Sequence, residues 1–378
     1  MFVKGLVLFL VRIRLGFTVL KTAMQNNAGL PGSFKLLASL IRERIRLHDN
    51  AGGYKAVRSG KRYFWSINVP GWPSEAFNHF ITNEFRRIDE PGSGTLQTVI
   101  FAITNLCPLR CLHCYEAENI RTHETLSSAD LDIIMDRIVG SGIRHIQFSG
   151  GEPLCRMDDM LGLMIRGGTG RDYWINTSGY GLTPALAVKM KEHGMTGAII
   201  SLDDWNEERH NHIRQNPGSF RWALEAAENC TKAGLIVCFS VCAHREFVSY
   251  ENLSKIHLLA KNSGAAFLRI LEPRRAGAYK GKDVALSPGQ VEIIHRFMLE
   301  RNTGRKYRSF PVIQFPAYHS AKYGCLGAGN RYLYIDPDGN YNPCPFCRKA
   351  VGNALAKTIP EGIALTKVAG CHAYKQRV

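Results

Sequence analysis

From Thr98 onward the chain alternates short apolar runs with longer stretches in which apolar residues recur every three or four positions. Thr98–Thr104, Ile143–Phe148, Asp172–Asn176, Gly197–Leu202, Leu235–Val241 and Ala265–Leu271 have the length and β-branched content of buried strands. Ser127–Val139, Asp158–Arg166, Pro184–His193, Ser219–Ala233 and Ser249–Lys261 carry the helical period between them. Six successive β/α units predict an α/β fold built on a parallel sheet. The periodicity fits a partial barrel and an open doubly wound sheet equally.

The flanking regions are patterned differently. Met1–Leu20 is apolar but broken by Lys4, Arg12 and Arg14, and its longest uncharged run, Gly5–Val11, falls well short of the ~20 residues of a spanning helix. A basic residue ahead of a short apolar run also suits a signal peptide, but no small-residue cleavage site follows. Leu36, Leu37, Leu40, Ile41 and Ile45 recur at helical spacing among Arg42, Arg44 and Arg46, the pattern of a basic amphipathic helix. Such a helix could cover the β/α core, lie on an anionic membrane or grasp a substrate. Arg58–Phe64 reads as an extended segment or hairpin, and Pro91-Gly-Ser-Gly94 as a linker. Near the C-terminus, Arg331–Ile335 and Asn340–Asn342 flank Asp336-Pro-Asp-Gly339, a hairpin signal. The expected organisation is 1–92, 93–310 and 311–378.

Composition narrows the partners. The 378 residues carry a net charge of +16. Residues 1–48 hold eight basic residues against Glu43 alone. Nucleic acid, anionic lipid or an acidic substrate would suit that excess, but the basic stretch lacks the interleaved aromatics of a base-stacking platform, so no DNA partner is expected. Eleven cysteines in a chain this long read as metal ligands plus core residues. Cys155, Cys230, Cys238 and Cys242 are expected in the core, Cys155 being the nearest of them to the Gly150 turn. Exposed thiolate ligands need a reducing compartment, so the expected location is cytoplasmic, with peripheral contact of residues 1–48 at the inner membrane face.

The candidate chemistry lies on the loop after the first strand, Cys107-Pro-Leu-Arg-Cys111-Leu-His-Cys114. Three thiolates on one loop can hold a [4Fe–4S] cluster and leave one iron open to a small-molecule chelator. A structural zinc loop is the alternative, but zinc usually takes four ligands in paired arms and no fourth lies nearby in sequence. Four further cysteines, Cys325, Cys344, Cys347 and Cys371, flank and follow the C-terminal hairpin, and suit either iron–sulfur or tetrahedral zinc.

The Cys-x3-Cys-x-aromatic-Cys arrangement, with His113 in the aromatic place, resembles the signature of the radical S-adenosylmethionine (SAM) superfamily. Gly150-Gly151-Glu152-Pro153, after the second strand, resembles the motif that binds the SAM amino group there. The resemblance implies a partial (βα)6 TIM-like barrel, a SAM-binding [4Fe–4S] cluster on Cys107, Cys111 and Cys114, and reductive SAM cleavage followed by hydrogen abstraction from a substrate. It implies that Ser178, Ser201 and Asp203 serve the SAM carboxylate and ribose; capping the next helix is the other task for Ser178. Ser201-Leu-Asp-Asp204 through His210 to Arg214 is similar to members with a C-terminal cysteine domain, and makes Arg214 a carboxylate clamp, a surface salt bridge being its alternative. Pro273-Arg-Arg-Ala-Gly277 has the pieces, in altered order, of a segment beside the adenine. The four C-terminal cysteines resemble a shortened SPASM domain, the twitch form, with one auxiliary [4Fe–4S] cluster. A flavodoxin- or ferredoxin-like reductant and a peptide or protein substrate follow from the same resemblance. A lipid, sugar or alcohol substrate at a membrane is the next reading, and a zinc-stabilised, non-catalytic nucleic-acid or lipid adaptor the reading from another class.

Overall fold

The computed structural model describes residues 2–25, 29–47, 55–90 and 96–371. The Pro91–Gly94 linker and the side chains of Arg44, Ile45 and Arg46 lie outside the described residues. Twelve described strands run β1 Phe2–Val3, β2 Ala56–Ser59, β3 Arg62–Phe64, β4 Thr98–Ala102, β5 His145–Ser149, β6 Asp172–Thr177, β7 Met195–Ser201, β8 Ile236–Cys242, β9 Phe267–Leu271, β10 Val312–Gln314, β11 Tyr332–Ile335 and β12 Tyr341–Asn342. The described helices are α1 Gly5–Gln25, α2 Gly29–Leu47, α3 Glu75–Asp89, α4 Ser128–Gly140, α5 Met157–Gly167, α6 Pro184–Glu192, α7 Glu207–Arg214, α8 Ser219–Lys232, α9 Tyr250–Asn262, α10 Pro288–Thr303, α11 Pro316–Tyr323 and α12 Ile359–Ala369.

All six expected strands form, β4 to β9, and they are parallel and adjacent in chain order. A doubly wound sheet reverses its strand order at a switch point. This one does not, which selects the partial barrel. Two strands outside the expected set extend it: β10 pairs parallel with β9, and β11 pairs parallel with β4 while forming the expected hairpin with β12. The nine-stranded sheet stays open between β10 and β12.

Strand alternation divides the interior. Val99, Phe101, Ile146, Phe148, Ile175, Ile200, Val237, Phe239, Leu268 and Ile270 pack outward against α4–α6 and α8–α10 in the main core. Helix ends are set locally. Ser127 caps α4 in a reciprocal capping box with Asp130, and Thr183 caps α6 with Pro184 following. On the inner face, Trp174, Ile199, Cys238 and Phe267 form an apolar floor that Val57, Phe64 and Ile67 of the β2–β3 segment plug from below. Gly197 makes room for Trp174: a Cβ there would sit 2.4 Å from the Ile236 carbonyl oxygen and 2.7 Å from the indole. Buried Asp172 fastens the plug, accepting from the Gly71 amide (2.8 Å), the Thr196 hydroxyl (3.0 Å) and Arg62.

The N-terminal helices form a second layer. Val11, Val19, Leu36, Leu40, Phe77, Phe80 and Phe85 bring α1, α2 and α3 into one small core. Both carboxylate oxygens of buried Glu84 on α3 accept from Arg331 Nη1 (3.0 and 2.9 Å), joining this layer to the start of β11. Arg137 of α4 likewise donates to the carbonyls of Ala354, Leu355 and Lys357 in the C-terminal segment.

Candidate active site

The C-terminal ends of β4–β9 open into a cavity of about 940 Å³, into which Cys107, Cys111 and Cys114 all project. Their loop is pinned at both ends. The Glu152 amide donates to the Leu106 carbonyl (2.7 Å), and the Leu112 amide to Ile213 in the last turn of α7 (2.9 Å). Burial pushes the Cys107 and Cys114 thiols up to about 12, and raises Cys111 as well. Such thiols hold their protons until a cation takes their place. Arg214 works the other way on Cys111, its Nη1 lying 3.6 Å from the sulfur.

The Gly150-Gly151-Glu152-Pro153 turn meets the cysteine loop rather than open space. Gly150 has φ +139°, and Cβ atoms on Gly150 and Gly151 would lie 2.6 Å from the Thr104 oxygen and 2.1 Å from the Leu106 oxygen. The glycines therefore let two backbones touch. Pro153 opens a short 3-10 turn. The Glu152 carboxylate is buried and accepts from the Thr177 hydroxyl (2.7 Å) and from the Ser178 amide (2.7 Å) and hydroxyl (2.5 Å). Ser178 thus holds Glu152, and the cap of α6 is Thr183 instead. Ser201 ends β7 and lines the cavity.

Asp203 is the hub of the opposite wall. Buried, it accepts from His113 (2.9 Å), from Arg214 Nε (2.7 Å) and from the Cys242 amide (3.0 Å), while its own amide donates to His210 Nδ1 (3.1 Å). Burial opposes its charge, yet Arg214 and His113 hold it well below the usual carboxylate range. The Arg214 partnership is therefore a buried ion pair, not a surface one. The altered Pro273–Gly277 segment closes over the cysteine loop: the Ala278 amide donates to the Cys114 carbonyl (2.9 Å), and a Cβ on Gly277 would lie 2.2 Å from the same oxygen.

Cys325, Cys344, Cys347 and Cys371 come together at the far end of the C-terminal segment. Cys347 Sγ is 3.6 Å from Cys371 Sγ, and the Cys347 amide donates to Cys344 Sγ (3.2 Å). Burial, with Cys371 and Cys347 nearby, pushes Cys325 up to about 12. Among the described residues no group of three or more His, Cys, Asp or Glu converges on a single metal ion. Cys230 and Cys238 are buried as expected, but Cys155 is exposed and Cys242 lines the cavity. Cys155 sits in the short turn after Pro153, and Cys242 ends β8 at the cavity rim, so neither packs inward.

Motif reading missed the link between the two cysteine groups. Tyr115 bonds Ser149 (3.0 Å) and packs edge-on against Phe346; Glu116 pairs with Arg348 (2.8 Å) and accepts from Tyr334. Only the position of Tyr115 and Glu116, directly after Cys114, hints at it in sequence.

Fold and site define a partial β/α barrel whose mouth gathers three cysteine thiols from a single loop. Residues 101–253 match the radical SAM superfamily. The chain is 26% identical over 338 residues to the AdoMet-dependent heme synthase of Oleidesulfovibrio alaskensis, covering 83% of this chain and 82% of that one. It is 28% identical to the mycofactocin maturase MftC of Mycolicibacterium smegmatis (67% and 66%) and 30% identical to the GTP 3',8-cyclase of Alkaliphilus oremlandii (64% and 79%). Streptococcus suis SuiB, solved with its precursor peptide SuiA, shares the fold at TM-score 0.59 and 14% identity, over 88% of this chain and 78% of that one. This chain belongs to the radical SAM superfamily and is an enzyme of that class, with SAM and a [4Fe–4S] cluster as its cofactors.

Proposed function

We propose that Cys107, Cys111 and Cys114 hold the SAM-binding cluster and that the enzyme modifies a peptide or protein. One observation carries the first part: three thiols face the cavity from one loop, while Asp203, Glu152 and Arg214 beside them are already engaged. The donor set fits, since three half-buried thiols supply three soft anionic ligands and leave room beside them. SAM bound at the reduced cluster supplies a 5′-deoxyadenosyl radical that takes a hydrogen atom from the substrate.

The chain's own residues arrange the setting. Gly150–Pro153 presents backbone carbonyls to the SAM amino group, and Ser178 and Thr177 hydrogen-bond Glu152 beside it, opposing the burial that raises its pKa. Ser201 is placed for the ribose. Asp203 holds His113 and Arg214 against the cysteine loop, leaving the second edge of the Arg214 guanidinium for Cys111 and the SAM carboxylate. The walls exclude water from the reacting atoms. The peptide reading is supported by the maturase relative and by the breadth of the cavity. Cys325, Cys344, Cys347 and Cys371 are assigned one auxiliary [4Fe–4S] cluster, and a flavodoxin- or ferredoxin-like protein the role of reductant.

Anaerobic reconstitution with iron and sulfide tests this. About eight irons per chain, and 5′-deoxyadenosine on reduction with SAM, are expected. Zinc alone, with no cleavage, would return the chain to the adaptor reading.

A second reading concerns place. Leu6, Phe9, Leu10 and Phe17 of α1 point outward at 47–71% exposure, beside Lys4, Arg12, Arg14 and Lys21. No helix of the described residues is long and apolar enough to cross a membrane. An outward apolar ridge with basic flanks suits insertion at an anionic lipid surface. Pelleting with phosphatidylglycerol vesicles, and at least fivefold less pelleting of the Phe9→Asp/Leu10→Asp variant, is expected. Equal pelleting of the two rejects it.

A further inference from the structure

The carboxylates lining the cavity are all committed. Asp203 pairs with Arg214, Glu116 with Arg348, Glu272 with Arg274, and Glu152 accepts from Thr177 and Ser178. Among the cavity's cations, Arg331 belongs to Glu84. Arg269 of β9 is different. Its guanidinium is enclosed and faces the cavity, but its hydrogen bonds go to neutral acceptors: Nε to the Ser240 hydroxyl (3.2 Å) and Nη2 to the Asn176 side-chain oxygen (3.2 Å). No carboxylate pairs with it among the described residues. An enclosed cation without a counter-ion carries a desolvation penalty, and an arriving anion would recover much of it.

Its depth says which anion. Arg269 lies two residues before the end of β9, in register with Ser240 on β8, which is in register with Ser201 on β7. The cysteine loop, Glu152, Ser178 and Asp203 all follow the ends of their strands. Arg269 thus starts level with Ser201, but its Nη2 reaches Asn176, which is in register with Ile199 of the apolar floor, so the guanidinium turns down from the SAM-facing rim toward that floor. From there the cavity continues to Leu15, Val19, Trp65, Phe77 and Phe80 of the N-terminal layer.

Resting on the peptide reading above, we propose that Arg269 anchors a carboxylate of the substrate, an acidic side chain or the C-terminus, with apolar residues of the peptide lying toward the N-terminal helices. Asn176 and Ser240 fix the plane of the guanidinium, so its free edge can take the carboxylate bidentately. The anchor holds the substrate beneath SAM and sets which C–H bond is presented to the radical.

The test uses the full reconstituted chain and three probes: N-acetyl-Leu-Glu, the carboxylate-free N-acetyl-Leu-Gln-amide and hexanoate, with SAM binding measured in parallel by equilibrium dialysis. The acidic dipeptide should bind roughly tenfold or more tighter than its amide. Arg269→Gln should erase that preference while changing SAM affinity less than twofold; Arg269→Lys should keep part of it. No preference in the wild type overturns the proposal, and that comparison needs no variant to fold. A preference that survives Arg269→Gln overturns it too, as does a Gln variant that loses SAM affinity tenfold, which would make the carboxylate that of SAM. Hexanoate binding as tightly as the acidic dipeptide supports the anchor and counts against the peptide reading alone.

Discussion

The two cysteine groups are assembled in opposite ways. Cys107, Cys111 and Cys114 come from one loop, face the cavity, and are braced by neighbours that carry charge, Arg214 on one side and Glu152 beyond Cys107. Cys325, Cys344, Cys347 and Cys371 are gathered from three places in the C-terminal segment, lie against one another, and are absent from the cavity wall, where Pro345 and Phe346 stand in front of them. Three thiols on an open loop leave a coordination position to a ligand. Four thiols behind a wall leave none. The first arrangement suits chemistry on a bound molecule and the second suits storing or passing an electron.

The largest effect that could break this contrast is at Cys111. Cys111→Ala should reduce 5′-deoxyadenosine formation to background and lower iron by about four per chain; cleavage that persists would remove the triad from the mechanism. Cys347→Ala should lower iron by a similar amount yet leave SAM cleavage within severalfold of the wild type, while substrate turnover is lost. If Cys347→Ala instead releases one zinc and no iron, the two groups differ in metal as well as in exposure.

Glycines near each group sharpen the contrast at smaller scale. A methyl on Gly151 would meet the Leu106 carbonyl at 2.1 Å and Cys107 Cβ at 3.1 Å. Both belong to the cysteine loop, so no side-chain rotation relieves it. Gly151→Ala should cost about 100-fold in SAM cleavage, as expected when reacting groups shift by an ångström, with the C-terminal iron retained. A methyl on Gly327 would meet the Pro343 carbonyl at 2.9 Å and the Tyr332 ring at 3.1 Å, a milder clash than at Gly151 but one that still moves backbone. Gly327→Ala should lower stability by about 1 kcal/mol, read by denaturant melts, with SAM cleavage unchanged.

How much of this was legible in sequence follows from how local each feature is. The six strands β4–β9 and their helices announce themselves because each buries one periodic face. Strand β10 and the pairing of β11 with β4 do not: both strands are short, and the β11 partner lies some 230 residues earlier. Helix α7 was invisible for a different reason. Glu207-Glu-Arg-His-Asn-His-Ile-Arg214 has almost no apolar stripe, and it is held by the Asn206 cap and by Asp203. At the site, cysteine spacing gave the triad, since spacing within one loop is a local property. The wiring was not available: Glu152 bonding Ser178, and Asp203 gathering His113 and Arg214, depend on which strand ends become neighbours. Arg269 reads in sequence as one more residue of an apolar strand.

The contrast between the cysteine groups holds only while the sheet that carries both is folded, and His145 sets an acid limit on that. It lies on β5, next to β4, which pairs with β11 on its other side. Burial pushes its pKa down to about 4, with Asp172 opposing, and among the described residues neither ring nitrogen has a hydrogen-bond partner. The folded protein therefore keeps this imidazole neutral where the unfolded chain, titrating near 6.5, is protonated. Between pH 6.5 and about 4 the unfolded state binds more protons, so stability falls as pH falls through that window. A depression from 6.5 to about 4 corresponds to about 3 kcal/mol, lost in full below pH 4. His145→Leu removes the titration and leaves no polar atom unpartnered, so urea midpoints of the variant should match or exceed the wild type at pH 7 and lead it by a widening margin down to pH 4. Parallel midpoints for the two proteins across that range would place the acid sensitivity elsewhere, His257 being the next buried imidazole with a lowered pKa.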